Sequence, residues 1–194
     1  MTALRSRPSR PLQLTIALVG AARRPLALAA ERRYVEERVV GRPVDPVCIE
    51  PYRPQHARPL VELWRTSFEH GVGMTDPHPL EEQLAFFEAK VLPENKVRIA
   101  CSASTLVGFI ASTPESIAQL YVAVPFIGRG IGSQLLALAK SESSGSLWLY
   151  TFVCNARARA FYERHGFKDS GHGYENMWNL EDIKYSWSRS ASAG

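Results

Sequence analysis

The clearest pattern of apolar and polar residues in this chain lies between Gln119 and Leu136. Residues 119–124 (QLYVAV) are mostly apolar and partly β-branched, which is typical of a buried strand. Pro125 has no amide proton for a sheet ladder and is expected to end this strand. After a glycine-rich turn, apolar residues recur at the spacing of one helix face, at Ile131, Leu135, Leu138 and Ala139. The pattern predicts a strand, a tight turn and a helix.

Similar patterns predict the elements that precede this segment. They are, in chain order, an edge strand (48–53), an amphipathic helix (54–69), a second helix that begins at Leu80 and ends at Pro93, and two strands joined by a tight turn (96–102 and 105–112). The first strand is placed at an edge because Pro51 cannot donate to a ladder.

The elements after the glycine-rich helix are predicted in the same way. Residues 147–153 are almost wholly apolar, so we expect a strand that is buried on both faces. The order strand, helix, strand predicts a right-handed parallel crossover. One or two closing strands are expected around residues 174–180. The predicted order is β-α-α-β-β-β-α-β-α-β.

Composition narrows the class of protein. The 194 residues are 45% hydrophobic, enough for one domain with a proper core plus an extension. A net charge of +4 and a pI near 9.1 suit a polyanionic small ligand but do not argue for nucleic acid. The three cysteines show neither metal-site spacing nor an even disulfide set, which favours a reducing compartment, and we expect a cytoplasmic protein. No apolar run reaches the ~20 residues that span a membrane, so no membrane partner is predicted.

The sequence divides into three parts. Residues 1–45 are rich in arginine, contain no acidic residue before Glu31, and are predicted to be a disordered or weakly helical extension. Residues 12–22 resemble the apolar part of a targeting peptide, but Arg23 and Arg24 follow at once and no small-residue cleavage site is well placed. Residues 46–187 form the predicted domain, and residues 188–194 form a tail.

The glycine-rich turn is a candidate anion site. Gly128, Gly130 and Gly132 precede a helix, whose first amides and dipole attract phosphate, and glycine lets a ligand approach the backbone closely. The dinucleotide fingerprint G-x-G-x-x-G fails, because its last position would be Ser133 or Leu135. The Walker pattern fails as well, because no Gly-Lys-Ser/Thr follows. These failures disfavour a nucleotide-dependent oxidoreductase. The turn also has a purely structural interpretation, as a tight strand-to-helix connection.

A second segment carries its own pattern, NARARAFYERHGF at residues 155–167. Its apolar side chains fall on the inner face of a short helix, at Ala158, Phe161, Tyr162 and His165. Asn155 is a good N-cap residue and Gly166 a good residue to follow the helix. Three arginines are expected on the outer face, at positions 157, 159 and 164.

Together the two segments resemble the GNAT superfamily of acetyl-CoA-dependent N-acetyltransferases. The first signature of that family is a strand ending near L-Y-V followed by Q/R-x-x-G-x-G/A, and Gly130 and Gly132 match its glycine positions. Ile127 departs from it, because the family usually has Gln or Arg there to help hold the pyrophosphate. The second signature is N-x-x-A-x-x-F-Y-x-x-x-G-F, and residues 155–167 match every position. The resemblance covers roughly residues 49–180.

The resemblance implies a fold and a cosubstrate. The fold is α/β (α+β in some schemes), a mixed and mostly antiparallel central sheet of about six to seven strands with a splayed parallel pair, flanked by helices. Acetyl-CoA is the expected cosubstrate, without a metal, and the expected partner is a small-molecule or peptide amine, with a homodimer left open. The cofactor-binding residues implied are Tyr121, Val122 and Ala123 on the strand edge, Ile127, Gly128, Arg129, Gly130, Gly132 and Ser133 in the turn, and Asn155.

The resemblance also implies the chemistry. Tyr162 is the expected acid that protonates the leaving thiolate, since a phenol with an ordinary pKa near ~10 is protonated at neutral pH. The base that takes the proton of the amine is open between Glu115, Gln119 on the strand and a bound water. The loop 69–80 is expected to line the acceptor site.

Each role has a simpler rival. Tyr162 can be a core tyrosine with a satisfied hydroxyl, and Asn155 can be a helix cap alone. The alternative for the whole chain is a non-catalytic acyl-CoA-binding or interaction module on the same fold.

Overall fold

The computed structural model describes residues 46–173 and 178–189. Its seven strands are β1 (Val47–Pro51), β2 (Lys96–Ser102), β3 (Thr105–Ser112), β4 (Ile117–Val122), β5 (Ser146–Phe152), β6 (Lys168–Gly173) and β7 (Asp182–Ser188). Its helices are α1 (Ala57–Val72), α2 (Leu80–Phe86), α3 (Ile131–Glu142) and α4 (Ala156–Arg164). Short helical turns precede α1 (Pro54–His56) and follow β4 (Val124–Phe126), and α2 continues through a π-type turn (Phe87–Val91) into a last turn (Leu92–Glu94).

The strands form two antiparallel sheets that meet at a splayed pair. Four strands pair in the order β1-β2-β3-β4, and three in the order β5-β7-β6. Between β4 and β5, within the described residues, a parallel bridge joins Ser116 to Trp148 at one end, and the Trp148 amide donates to the Glu115 carbonyl at 3.1 Å. Beyond this end the strands diverge. The predicted fold, a mostly antiparallel sheet with a splayed parallel pair, is therefore confirmed.

Helices cover both faces of the sheet. On one face α1 packs through buried residues such as Leu60, Trp64 and Phe68. On the other face α3 and α4 pack through Ile131, Leu135 and Tyr162, among others. Because both faces are covered, β3 is buried from Val107 to Ser112. At Gly108 a Cβ atom would lie 3.0 Å from the Tyr121 carbonyl oxygen and 3.3 Å from the Ile131 side chain, so the absence of a side chain lets α3 lie close to the sheet.

The closing strands lie elsewhere than predicted. The sequence analysis placed them around residues 174–180, whereas β6 ends at Gly173 and β7 begins at Asp182. Residues 174–177 are outside the described part of the chain. The β6 sequence, KDSGHG, has the composition of a turn, and its strand conformation comes from tertiary pairing with β7.

Strand β5 is buried on one face rather than two. Leu147 and Leu149 are buried, whereas Trp148 and Tyr150 are partly exposed. The strand borders the gap that the divergence from β4 opens, so its second face lacks the full cover that the prediction assumed. In α3 the buried position is Leu136 and not the predicted Leu138, which is only partly buried.

The remaining boundary predictions differ little from the structure. The first strand is indeed at a sheet edge. The second helix runs to Glu94 instead of ending at Pro93. The predicted extension, residues 1–45, lies outside the described residues, as do residues 190–194. No helix within the described ranges combines the length and the apolar character that a membrane crossing requires.

Candidate active site

The divergence of β4 from β5 opens a cleft of about 630 Å³, measured to include its open mouth. Aromatic side chains from α1, both strands and α4 form much of its wall, namely Phe68, Tyr121, Tyr150, Phe152 and Tyr162. The polar residues that line it are Gln119, Thr151, Asn155 and Asp182. The cleft thus lies between the two sequence motifs and has contributions from both.

The β4 edge offers backbone groups to the cleft. The Ala123 amide donates to the Val107 carbonyl of β3 at 2.9 Å, so this amide is already paired within the sheet. In an antiparallel ladder the amide groups of alternate residues face opposite edges, so those of Val122 face the gap. The Ser67 hydroxyl of α1 donates to the Val122 carbonyl at 3.0 Å. Of the three predicted edge residues, Tyr121 lines the cleft, whereas Val122 and Ala123 are not among the residues that line it.

The glycine-rich turn leaves amide groups unpaired at the start of α3. Gly128 and Gly130 have φ values of 84° and 81°, a left-handed conformation that favours glycine, and a Cβ atom at either would have nothing within 4 Å. The first helical hydrogen bond runs from the Gln134 amide to the Gly130 carbonyl at 3.1 Å. The amides of residues 131–133 precede that bond and are free of intrahelical partners, which is the arrangement that binds phosphate.

Gly132 differs from the other two glycines. Its φ is not positive, and a Cβ atom on it would point inward, 3.4 Å from the Phe161 ring and 3.7 Å from the Val122 side chain. These are ordinary contact distances, so an alanine fits there. The sequence analysis predicted that a ligand approaches the backbone closely at all three glycines. In the structure this interpretation applies to Gly128 and Gly130.

Two further predicted residues flank the turn. Arg129 is exposed, and its guanidinium carbon lies 5.3 Å from the centre of the Phe126 ring. Ile127 is partly exposed and extended, and its side chain offers a ligand no charge. The positive charge beside the turn thus comes from Arg129, two residues after the position at which the family signature has Gln or Arg.

Ser133 connects the turn to α4. Its hydroxyl lies 3.0 Å from His165 Nε2, and His165 Nδ1 lies 2.8 Å from the Phe161 carbonyl oxygen. The carbonyl acts as an acceptor, so Nδ1 carries the proton and Nε2 of a neutral ring accepts from the Ser133 hydroxyl. His165 therefore fixes the first turn of α3 against the end of α4.

Asn155 caps α4, as predicted. Its side-chain oxygen accepts from the Ala158 amide at 3.1 Å. Its amide nitrogen borders α1 so closely that a Cβ atom on Gly71 would lie 2.7 Å away. Because Asn155 also lines the cleft, the cap sets the position of the side chain that faces any bound ligand.

Tyr162 is buried, with 7% of its surface exposed, and its ring packs against Phe167 and Tyr185. Burial, and then the neighbouring Tyr121, raise the pKa of Tyr162 well above its ordinary value. Burial raises the pKa of Tyr121 to about 12, and a hydrogen bond with the Trp64 side chain partly offsets this. Because its pKa is raised, the Tyr162 hydroxyl keeps its proton at neutral pH. No hydrogen bond joins this hydroxyl to another described residue, so it can donate to a ligand in the cleft.

Glu115 lies away from this cluster. It is exposed in the turn between β3 and β4, where its amide donates to the Thr113 hydroxyl at 3.2 Å. It is not among the residues that line the cleft, and the structure does not bring it to Tyr162. Its role as a base remains a prediction, whereas Gln119 does line the cleft.

The predicted acceptor loop, residues 69–80, begins as helix because α1 extends to Val72. Within it Asp76 is buried, and its carboxylate lies 2.8 Å from His78 Nδ1. The His78 ring meets the Trp178 ring edge-on at 5.6 Å, and Trp178 packs on Phe68 at 4.7 Å. The loop is therefore attached to the wall of the cleft through Trp178.

Sequence reasoning missed Asp182. This residue begins β7, is buried with 6% of its surface exposed, and lines the cleft opposite Phe152 of β5. A signal was available, because Ile183, Tyr185 and Trp187 alternate with polar residues as in a half-buried strand. Within the described ranges, no group of three or more His, Cys, Asp or Glu residues is arranged to hold a metal ion.

Comparisons with known proteins agree with this arrangement. Residues 93–169, which contain both motifs, match the family model of the acetyltransferase (GNAT) domain. A search of curated protein sequences returned no match.

Solved structures match over nearly their whole length. The PaiA N-acetyltransferase of Thermoplasma acidophilum, solved with coenzyme A, is 20% identical, with 74% of this chain and 99% of that chain covered and a TM-score of 0.61. YjaB of Escherichia coli, in its apo form, is 20% identical, with 75% of this chain and 99% of that chain covered and a TM-score of 0.62. YncA of Salmonella typhimurium, solved with acetyl-CoA, is 15% identical, with 76% and 96% covered and a TM-score of 0.56. These structures show that the chain shares their fold, and the family model confirms the resemblance to the GNAT acetyltransferases for residues 93–169.

Proposed function

Since residues 93–169 carry the GNAT acetyltransferase signature, we propose that this chain transfers an acetyl group from acetyl-CoA to an amine by direct attack. The observation that carries the proposal is the cleft between β4 and β5, because it brings the edge of β4, the cap of α4 and the buried phenol of Tyr162 to one place. The free amides that open α3 follow β4 directly in the chain.

The cofactor would lie along these groups in order. The pyrophosphate binds the free amides at the start of α3, where the helix dipole and Arg129 favour negative charge. The pantetheine arm follows the unpaired edge of β4 toward the cleft, with Asn155 at its side. The Val122 amide donates to the thioester oxygen and stabilises the negative charge that develops when an amine attacks.

Tyr162 completes the reaction as the acid. Its raised pKa keeps the phenol protonated across the physiological range, so it can donate to the sulfur as the carbon–sulfur bond breaks. The cleft wall is largely aromatic, and surroundings of low polarity strengthen such polar interactions.

Turnover tests the proposal. The full chain is incubated with acetyl-CoA and a panel of primary amines, and mass spectrometry follows both free CoA and the gain of one acetyl group by each amine. Transfer that depends on the protein and is lost in Tyr162→Phe supports the proposal. Acetyl-CoA that binds to the chain but is transferred to none of the amines points instead to a non-catalytic acyl-CoA-binding module.

A further inference from the structure

We propose that Cys48 and Cys101 form a reversible disulfide between strands β1 and β2, by exchange with a low-molecular-weight disulfide such as oxidised glutathione. The inference is independent of the proposed acetyl transfer, because neither cysteine is among the residues that line the cleft. The two cysteines are far apart in the sequence and belong to no motif, so the pairing of the strands is what brings them together.

The register of the β1–β2 ladder places the two cysteines directly opposite each other. Directly opposite residues in an antiparallel pair have side chains on the same face, with Cβ atoms about 4.5–5.5 Å apart. The Cys101 thiol donates to Glu50 Oε1 at 3.8 Å, and Glu50 follows Cys48 by two residues along β1. Residues two apart in a strand share a face. This contact therefore shows that the Cys101 side chain lies on the face of Cys48.

The backbone separation also fits a disulfide. The Tyr52 amide continues the ladder and donates to the Val97 carbonyl at 3.2 Å. Hydrogen-bonded pairs alternate along an antiparallel ladder, so the pair of Cys48 and Cys101, four residues further on, is also hydrogen-bonded and has a Cα separation of about 5.5 Å. Disulfides span Cα separations of about 4.4–6.8 Å. Because β1 is an edge strand that pairs on one side only, it can make the small shift that closes the bond.

The two thiols differ in access and in acidity. Cys48 is exposed, so a dissolved disulfide can reach it, whereas Cys101 is partly buried. Burial, the Glu50 carboxylate and, to a smaller degree, Cys48 raise the pKa of the Cys101 thiol. Cys101 is therefore protonated at neutral pH and reacts second. Glu50 is placed to take its proton when it does.

The exchange then proceeds in two steps. The Cys48 sulfur, after losing its proton to solvent, attacks one sulfur of oxidised glutathione, and the second sulfur leaves as one glutathione molecule. The Cys101 thiol passes its proton to Glu50, and its sulfur attacks the Cys48 sulfur of the mixed disulfide. The second glutathione leaves and takes up the proton. Two protein thiols are oxidised, and one glutathione disulfide is reduced to two thiols.

The third cysteine provides an internal control. Cys101 lies equally far along the chain from Cys48 and from Cys154, so loop closure alone favours neither partner. In the fold, β3 and β4 lie between Cys101 on β2 and the end of β5, which Cys154 follows. Three strand spacings amount to roughly 14 Å, which a disulfide cannot span. The folded chain therefore selects Cys48.

The bond would close a covalent loop that contains α1 and α2. A bond that closes such a loop restricts the unfolded chain and so stabilises the folded one. The oxidised chain is expected to have a Tm about 5 °C or more above that of the reduced chain, and dithiothreitol is expected to remove the difference. The bond thus ties the edge strand to the sheet and secures the helix that forms one wall of the cleft.

The test treats the reduced, folded chain with oxidised glutathione and identifies the products by intact mass and non-reducing peptide mapping. Cys154→Ser, which removes the third thiol, is expected to lose the mass of two hydrogen atoms and to yield one cross-linked peptide pair that joins Cys48 to Cys101. Adding Cys101→Ser to this variant is expected to stop the exchange at the mixed disulfide, with one glutathione retained on Cys48.

The original chain then tests the selectivity. When folded, it is expected to link Cys101 to Cys48 and not to Cys154; in urea, it is expected to link Cys101 to both in comparable amounts, which also shows that the reagent is active. A folded chain that yields glutathione adducts without the link, or that links Cys101 to Cys154 as often as to Cys48, would overturn the proposal. A Tm that the link leaves unchanged would overturn the stabilising role.

Discussion

Burial raises the pKa of Tyr162 and so keeps its hydroxyl protonated. The sequence motif predicted this residue and its helix face, and the structure places it in the cleft with a raised pKa. Asp182 could not be found in the same way, because no motif contains it and its position depends on a pairing between strands far apart in the chain. A local pattern thus predicts a residue on a helix better than one whose neighbours are set by tertiary pairing.

At the residue scale, we predict that Tyr162→Phe lowers kcat for an amine that the chain acetylates about 100-fold while leaving the Kd of acetyl-CoA within about twofold. The free energy of unfolding should change by less than about 1 kcal/mol, because the hydroxyl has no hydrogen bond to another described residue. Steady-state rates, calorimetric binding and urea unfolding measure the three quantities. An unchanged kcat would show that Tyr162 is a core tyrosine only.

At the scale of elements, the strand, turn and helix from β4 to α3 were predicted almost in full, because Pro125 and the glycines mark their limits. The closing strands were misplaced because β6 has a polar, glycine-containing sequence that only its partner makes a strand. The burial of β5 was also mispredicted, because it depends on neighbouring elements. Its apolar sequence indicated burial on two faces, whereas one face borders the gap.

The glycine turn offers a matched pair of substitutions. We predict that Gly130→Ala costs about 1–2 kcal/mol of stability and weakens acetyl-CoA binding, because φ is 81° and a side chain is strained there. Gly132→Ala should cost nothing measurable in either quantity, because its Cβ atom meets the Phe161 ring at an ordinary 3.4 Å. Urea unfolding and calorimetry compare the two variants. Equal effects would mean that positive φ is not what the turn requires.

Ile127 permits a gain-of-affinity test in the same element. We predict that Ile127→Arg lowers the Kd of CoA about threefold to tenfold, since a partly exposed guanidinium beside the free amides adds a charged hydrogen bond to the pyrophosphate. Ile127→Leu is the control and should leave the Kd unchanged. If both variants bind CoA alike, the pyrophosphate does not lie at this turn.

At the scale of the whole molecule, two small sheets joined at one end of a splayed strand pair create the cleft. The family resemblance predicted the splay, whereas hydrophobic patterning alone did not, because periodicity indicates which face of a strand is buried and not where two strands separate. Tyr162 and Tyr185 are buried in one core, and Tyr52 and Tyr121 are partly buried and pack against the other.

Because of those tyrosines, the free energy of unfolding is expected to change with pH in the alkaline range. Burial raises the pKa of Tyr52, Tyr121, Tyr162, Tyr185 and Cys101. The folded state therefore binds more protons than the unfolded state above the unfolded pKa values, so we predict that the free energy of unfolding falls as pH rises above about 9. Burial lowers the pKa of Lys140, so this one group raises the free energy of unfolding as pH rises and opposes the effect of the other five groups.

Urea unfolding between pH 7 and pH 11 checks this prediction, and Tyr162→Phe should reduce the slope because it removes one of the groups. Stability that rises above pH 9, or a slope that Tyr162→Phe leaves unchanged, would contradict the account of these buried phenols.

The most direct measurement of the central claim is calorimetric titration of the full chain with acetyl-CoA. The account predicts one acetyl-CoA bound per chain with micromolar affinity, and weaker binding when the pyrophosphate-free analogue acetyl-pantetheine is titrated, because the amides that open α3 then lose their ligand. A folded chain that binds no acetyl-CoA, or that binds acetyl-pantetheine equally well, would contradict it.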